Sequence, residues 1–372
     1  MAIDVRRGLR LGCGVAVVLF LVAAFGALFI GACQDSRRED KAEDQIGKVE
    51  QLVATGEVEE AATLFLSTFV DYFRTDVLAD DGRLDAVLRK FSAPDLAILS
   101  ARALVELPTP DRPVDRGVSS GERVSALCDA AILGAYPDAP EAAAARERLV
   151  TLLGLTPGAP SNTATPASRS TAVRGLSYVT DPAFLEAMVG LVNGPEYARF
   201  AAASVLASMG ERGVNLLVPL LGSGDAELRL VLALGLCDDG SGAAVQAVRT
   251  ALKSPEGLVR LDASAAAAAA ANQNNECPWE GEAIQLLVPY AADPYVVAGA
   301  PVVFIQEGRP ESVQAMIDGL AIVKDPEMAE RMVNSGNDEL RAAASAWARA
   351  NGYTIETKPA SPGSPGIQWG EK

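Results

Sequence analysis

The chain has no histidine at any of its 372 positions. That removes the commonest general base, the histidine of serine- and cysteine-hydrolase dyads, and the preferred ligand of catalytic zinc. Aromatic residues make up only 5% of the sequence, so a core of stacked rings is excluded and the apolar content rests on alanine, leucine and valine. The sequence also lacks a phosphate-binding GxxxxGK[ST] loop, a GxGxxG turn after a strand, a CxxC pair and a GxSxG elbow. Asp80-Asp81-Gly82 and Asp238-Asp239-Gly240 lack the alternating acidic spacing and distal glutamate of a calcium loop and read as turns. The adjacent Glu59 and Glu60 read as a solvated helix face, not as a catalytic pair. Together these absences point away from an enzyme and imply no cofactor or metal.

Positive charge is scarce as well. The formal net charge is −16, which argues against nucleic acid as a partner. Its distribution is uneven. The first 33 residues carry Arg6, Arg7 and Arg10 against Asp4, and the rest of the chain is more acidic still. Leu11 to Ala32 is an uncharged run of 22 residues, long enough to span a bilayer as a helix. It also has the form of a secretory signal. Its end, Ile30-Gly31-Ala32-Cys33, resembles the lipobox of bacterial lipoproteins, which implies cleavage before Cys33 and lipidation of that residue. The length of the apolar run supports the other reading, an uncleaved single-pass anchor. Both attach the chain to a cell membrane or outer membrane, with the body outside the cytoplasm. Arg37, Arg38 and Lys41 follow the run, so the balance of Lys and Arg across it votes only weakly on sidedness.

What the sequence has in quantity is repetition. Arg169, Arg199, Arg229 and Arg260 are spaced by 30, 30 and 31 residues. Leu176, Leu206 and Leu236 each fall seven residues after one of them, and Thr180, Gly210 and Gly240 fall eleven after. A period of this length with two helical apolar stretches per unit predicts an all-α fold of the α-solenoid kind. The stretch Asp225 to Gly240 (DAELRLVLALGLCDDG) shows the pattern: an acidic start, an arginine four residues later, an alanine-leucine helix and an acidic or glycine turn. Leu216 to Leu220 (LLVPL) returns as Leu286 to Tyr290 (LLVPY), and Val245-Gln246-Ala247 as Val313-Gln314-Ala315.

On these residues, 169–352 resembles the short bacterial HEAT repeats. The resemblance implies antiparallel helix pairs stacked into a curved superhelix, one helix of each pair on the concave side. In such repeats the arginine pairs with an acidic group between units, and Asp225, Glu256 and Asp262 are the candidate partners. The pattern is regular to Ala271. There the chain inserts 272–281 (NQNNECPWEG) after seven consecutive alanines. In the next unit Val297 replaces the arginine, Pro301 sits inside the first helix, and Arg341 is off register. Of Cys128, Cys237 and Cys277, any two have the means to pair in an oxidising compartment; stacked neighbours favour Cys237 with Cys277.

The remaining organisation follows from composition. Residues 34–44 (QDSRREDKAED) read as a charged spacer, and 45–154 as a small all-α domain. Its start, Leu52 to Phe65 (LVATGEVEEAATLF), resembles a tetratricopeptide hairpin. Helices are predicted at 82–91, 94–105, 119–135 and 139–153. The segment 155–168 reads as a Pro/Ser/Thr linker and 353–372 as a flexible tail carrying Trp369. The function expected is a membrane-tethered scaffold that binds a protein or peptide through the concave face and the 272–281 insertion. Trp279, Glu280 and Glu282 form the candidate contact patch. Two alternatives are a mechanical spacer of the envelope and an enzyme similar to the HEAT-repeat bilin lyases. The export-type start and the scarcity of aromatics argue against the enzyme.

Overall fold

A computed structural model describes residues 36–72, 81–107, 120–156, 166–272, 275, 277–355 and 368–370. The apolar run 11–32 and Cys33 lie outside these residues. Among the described residues the fold is all-α, with no strand. No helix among them is long and apolar enough to cross a membrane. The chain divides into two compact units, Met1–Arg148 with Ala164–Thr171 and Leu149–Thr163 with Ala172–Lys372.

The first unit is built on helices α1 (36–55), α2 (Val58–Tyr72), α3 (Asp81–Leu88), α4 (Ala93–Glu106), α5 (Ser120–Ala135) and α6 (Pro140–Leu152), the last of which ends beyond the boundary. The expected charged spacer is helical from Ser36 onward. Ala42, Ile46 and Val49 recur at helical spacing and are buried, so the charges lie on the outer side of an amphipathic helix. Arg83 reaches Glu43 and Glu50 from α3 at 3.0 and 2.7 Å. Gly56, with φ +85°, turns the chain between α1 and α2. The core holds Phe65, Phe69, Phe91, Leu96, Leu99, Leu127 and Ile132, all but fully buried. Ser92 caps α4 by accepting from the Asp95 amide, and the Tyr136 hydroxyl donates to the Phe91 carbonyl at 2.7 Å.

The second unit contains α8 (Pro182–Val192), α9 (Glu196–Ser208), α10 (Glu211–Leu217), α11 (Ala226–Gly235), α12 (Ala243–Ala251), α13 (Gly257–Ala270), α14 (Glu280–Leu287), α15 (Pro294–Gly299), α16 (Pro301–Glu307), α17 (Glu311–Val323), α18 (Pro326–Val333) and α19 (Asp338–Ala350). Before them, α7 (Pro166–Ser177) starts in the first unit and ends in the second. Alternate helices pack together. The series α9, α11, α13, α15, α17 and α19 forms one row of neighbours, and α8, α10, α12 and α14 form another. The first row is closely packed because its contact residues are small. A Cβ on Gly235 of α11 would lie 2.7 Å from the Ala203 Cβ of α9. On Gly299 of α15 it would lie 2.3 Å from the Leu261 carbonyl oxygen of α13. The alanine run supplies the same closeness, with Ala263, Ala266, Ala267 and Ala270 fully buried. Pro301 does interrupt the helix expected around it: α15 ends at Gly299 and α16 begins at Pro301, with Ala300 between them at φ −132°.

Candidate functional site

Arg199, Arg229 and Arg260 sit in the first row and reach forward to the next repeat. Arg229 of α11 donates through Nε to the Asp262 carboxylate of α13 at 2.5 Å. Arg260 of α13 does the same to Asp293, the residue that caps α15, at 2.7 Å. Arg199 of α9 pairs with Glu227 at 3.0 Å and lies 3.8 Å from Asp225, the cap of α11. Each acidic partner also organises backbone. Asp262 is almost fully buried and accepts the Gly222 amide at 2.7 Å. Asp293 accepts the Tyr295 and Val296 amides at the start of α15. Two of the three partners expected from sequence, Asp225 and Asp262, are thus engaged; for Arg260 the partner is Asp293. Arg169 is exposed on α7, within the first unit. Arg341 pairs locally with Asp338 at 2.8 Å.

Further donors of these arginines are spent on backbone carbonyls of their own repeats. Arg260 gives Nη1 to the Ser254 and Pro255 carbonyls at 2.9 and 3.1 Å, and its guanidinium lies 5.3 Å from the Tyr295 ring centroid. Arg199 gives Nε to the Gly194 carbonyl at 2.8 Å. The set reads as a chain of couplings between repeats, not as a basic ladder for an anionic ligand.

The insertion is folded back onto the end of α11. Cys237 and Cys277 are joined by a disulfide across 40 residues of sequence, with Cα atoms 4.8 Å apart. The Asn275 side chain donates to the Ala269 carbonyl at 2.7 Å. Trp279 corrects the expectation of a surface contact patch. Its ring is 95% buried, and its indole N–H donates to the Leu236 carbonyl at 3.2 Å. An indole placed beside a disulfide is more stable packed inward, with its single polar atom satisfied, than facing water. Of its proposed companions, Glu280 is half-buried at the first position of α14. Glu282 is exposed and pairs with Arg249 of α12 at 3.1 Å. The three residues do not form one patch.

Two features remain open to solvent in this unit. A shallow cleft of about 410 Å³ is lined by Arg260, Pro289, Tyr290, Asp293, Pro294 and Tyr295. Phe200, Leu230 and Leu258, on the neighbouring helices α9, α11 and α13, are exposed. Phe200 and Leu230 each directly follow a repeat arginine and so hold the same position in successive units. No sequence signal beyond the repeat itself marked them, because an isolated exposed apolar residue is ordinary; their recurrence is what sets them apart.

In the first unit the buried polar centre is Asp129. Arg148 meets its two oxygens at 2.6 and 2.9 Å, and Ser100 donates to it at 3.3 Å. Burial pushes the Asp129 carboxyl above its usual range, against the pull of Arg148 and Ser100. Burial likewise holds the neighbouring Cys128 thiol well above its ordinary value, which keeps it an unreactive apolar group. No group of three metal-ligating side chains is present among the described residues. What the second unit offers chemically is surface: an apolar row, a tyrosine-proline cleft and a rigid frame beneath them. Comparison with known protein families, with curated proteins and with solved structures gives no match to this chain.

Proposed function

We propose that the chain is a non-catalytic scaffold whose segment 169–352 is a HEAT-type α-solenoid, held at a bacterial envelope membrane by its N-terminal segment and binding an extended protein segment. The attachment is through lipid on Cys33 or through the apolar run 11–32 as a helix. The observation that carries the binding reading is that Phe200 and Leu230 are exposed at the same position of two successive units, with Leu258 exposed near the start of the next helix, where the equivalent Leu261 is buried. Neighbouring helices are spaced about 8–10 Å apart, so these exposed side chains suit a chain lying across adjacent helices. An acidic body at net charge −16 favours a partner that is neutral or basic.

The test is crosslinked capture of partners from envelope membranes with the wild-type chain and with a Phe200→Ser/Leu230→Ser variant. A partner held by wild type and lost by a variant with an unchanged melting curve supports the reading. Identical capture by both chains sinks it, and an empty capture by both leaves a mechanical spacer instead. Tethering is tested separately by intact mass of the membrane-extracted chain beside Cys33→Ser. A chain that begins at Cys33 and carries acyl mass identifies a lipoprotein; one that begins near Met1 identifies a single-pass anchor.

A further inference from the structure

The C-terminal segment 353–372, expected from its composition to be a flexible tail, contains one seated stretch. The Trp369 amide donates to the Ser335 carbonyl at 2.7 Å, and the Gly370 amide donates to the Ile305 carbonyl at 2.9 Å. The Gln368 side-chain amide is 3.5 Å from the Asn334 carbonyl. Ile305 belongs to the last turn of α16, and Asn334 and Ser335 directly follow α18. The Ile305 carbonyl, in the last turn of α16, has no partner within its own helix and takes the Gly370 amide, while the Ser335 carbonyl, just beyond α18, takes the Trp369 amide.

The seat is shaped by the absence of side chains. Gly308 ends α16 at φ +61°, and a Cβ there would lie 2.5 Å from the Gly370 Cα and 2.7 Å from its nitrogen. Gly336 follows α18 at φ +82°, and a Cβ there would lie 2.7 Å from the Gln368 Oε1. Gly370 is itself at φ +74°. The two backbones therefore meet with no space for a methyl group on Gly308, while a Cβ on Gly370 would lie 3.9 Å from the Gly308 Cα, so at 370 it is the positive φ that requires glycine. The Trp369 indole nitrogen lies 3.5 Å from the position a Gly308 Cβ would take, so the ring too borders that point.

We propose that the slot between the C-terminal ends of α16 and α18 is a binding site for an extended Gln-Trp-Gly peptide, and that the chain's own residues 368–370 occupy it as an internal ligand. This inference is independent of the apolar row on α9, α11 and α13. Specificity comes from three elements: two carbonyls that take successive amides, a Gly308 that leaves no room for a Cβ facing a Gly370 whose φ of +74° disfavours any side chain, and the indole beside them. From Ile355 to Gln368 the chain spans at most about 47 Å when fully extended, so the tail stays near its slot and acts at an effective concentration on the order of millimolar. A segment of the same chemistry on another molecule must therefore displace the tail to bind.

The experiment uses the full-length chain and a fluorescein-labelled peptide of the sequence Gly-Ile-Gln-Trp-Gly-Glu-Lys, read by anisotropy. In the variant Trp369→Ala/Gly370→Ala the tail is released and the slot is intact. This variant is expected to bind the peptide about tenfold or more tightly than wild type. Adding Gly308→Asn should abolish that binding, since asparagine tolerates the left-handed backbone but its side chain fills the seat. As a check that does not depend on the variant's folding, the peptide with alanine in place of its second glycine should bind neither chain. Equal affinity for wild type and the released variant overturns the proposal. So does absence of binding to the released variant, or undiminished binding of the alanine peptide.

Discussion

The two units of this molecule bury apolar surface with different mixtures of side chains. Among the described residues, the fully shielded phenylalanines Phe65, Phe69 and Phe91 belong to the first unit and Phe304 to the second, whose other large shielded side chains are leucine, isoleucine and methionine, such as Leu206, Ile305 and Met316. The first unit is a small domain in which large apolar side chains from several helices share one core. The second is assembled from alanine, glycine, valine and leucine, and its helices gain contact by approaching closely. A core of the first kind fails as a whole when one large side chain is lost. An array of the second kind is held neighbour to neighbour, and its specific couplings carry the weight: Arg229 to Asp262, Arg260 to Asp293, Cys237 to Cys277, and the Trp279 indole to Leu236.

That contrast is sharpened by changes placed in one unit at a time. Phe65→Ala in the first unit should cost about 3–5 kcal/mol and lower the denaturation midpoint of that unit, followed by urea titration. The second unit, which does not share that core, should keep its own midpoint; a common shift of both would mean that they unfold as one body. Replacing Cys237 and Cys277 together by serine should destabilise the second unit by about 3–4 kcal/mol, the loop-entropy value for a closure of 40 residues. Differential scanning calorimetry under oxidising and reducing conditions separates this from a packing effect, since reduction of wild type should reproduce the double variant.

Asp262→Ala should cost the second unit about 3 kcal/mol, because it strands the Arg229 guanidinium and the Gly222 amide around a buried site. The smallest effect belongs to the surface of the first unit. Hydrogen bonds from Arg83, and then from Lys90, hold the Glu50 carboxyl below its ordinary value. A depressed carboxylate contributes stability that is present above its unfolded pKa, about 4.3, and lost as pH falls through its folded value. Glu50→Gln should therefore cost under about 1 kcal/mol at neutral pH, and wild type and variant should converge in stability under acid, measured by urea melts across that range.

Much of the second unit was legible because its couplings are written in its period. The spacing of Arg199, Arg229 and Arg260 marks the helices of the first row, and before α11 and α15 the acidic residue, Asp225 or Asp293, is a cap and an ion-pair partner at once, whereas Asp262 lies within α13. Asp293 was missed although it stands 33 residues after Arg260, just as Asp262 stands 33 after Arg229. The Val297 replacement and the insertion interrupted the count at that point. Trp279 was misread because its neighbours are polar and its partner, the Leu236 carbonyl, lies 43 residues upstream. The start of the helix, 36–44, was read as a spacer because of its charge density, which belongs to one face only. The seat of Trp369 leaves no periodic trace at all. It depends on unpaired carbonyls at two helix ends and on glycines at Gly308 and Gly336, features that exist only once the helices have packed.

The central claim, that the second unit is held by couplings between adjacent repeats, is tested most directly by a double-mutant cycle on Arg229 and Asp262. Arg229→Ala, Asp262→Ala and the double variant are compared by urea unfolding, beside the same cycle on Arg229 and Asp293, which belong to different couplings. The expected coupling is about 1–3 kcal/mol for the first pair and within about 0.5 kcal/mol of zero for the second. Additive effects of Arg229 and Asp262 would contradict the claim. So would a loss of partner binding on Arg229→Ala with no change in stability, which would return the arginines to the role of a ligand-binding ladder.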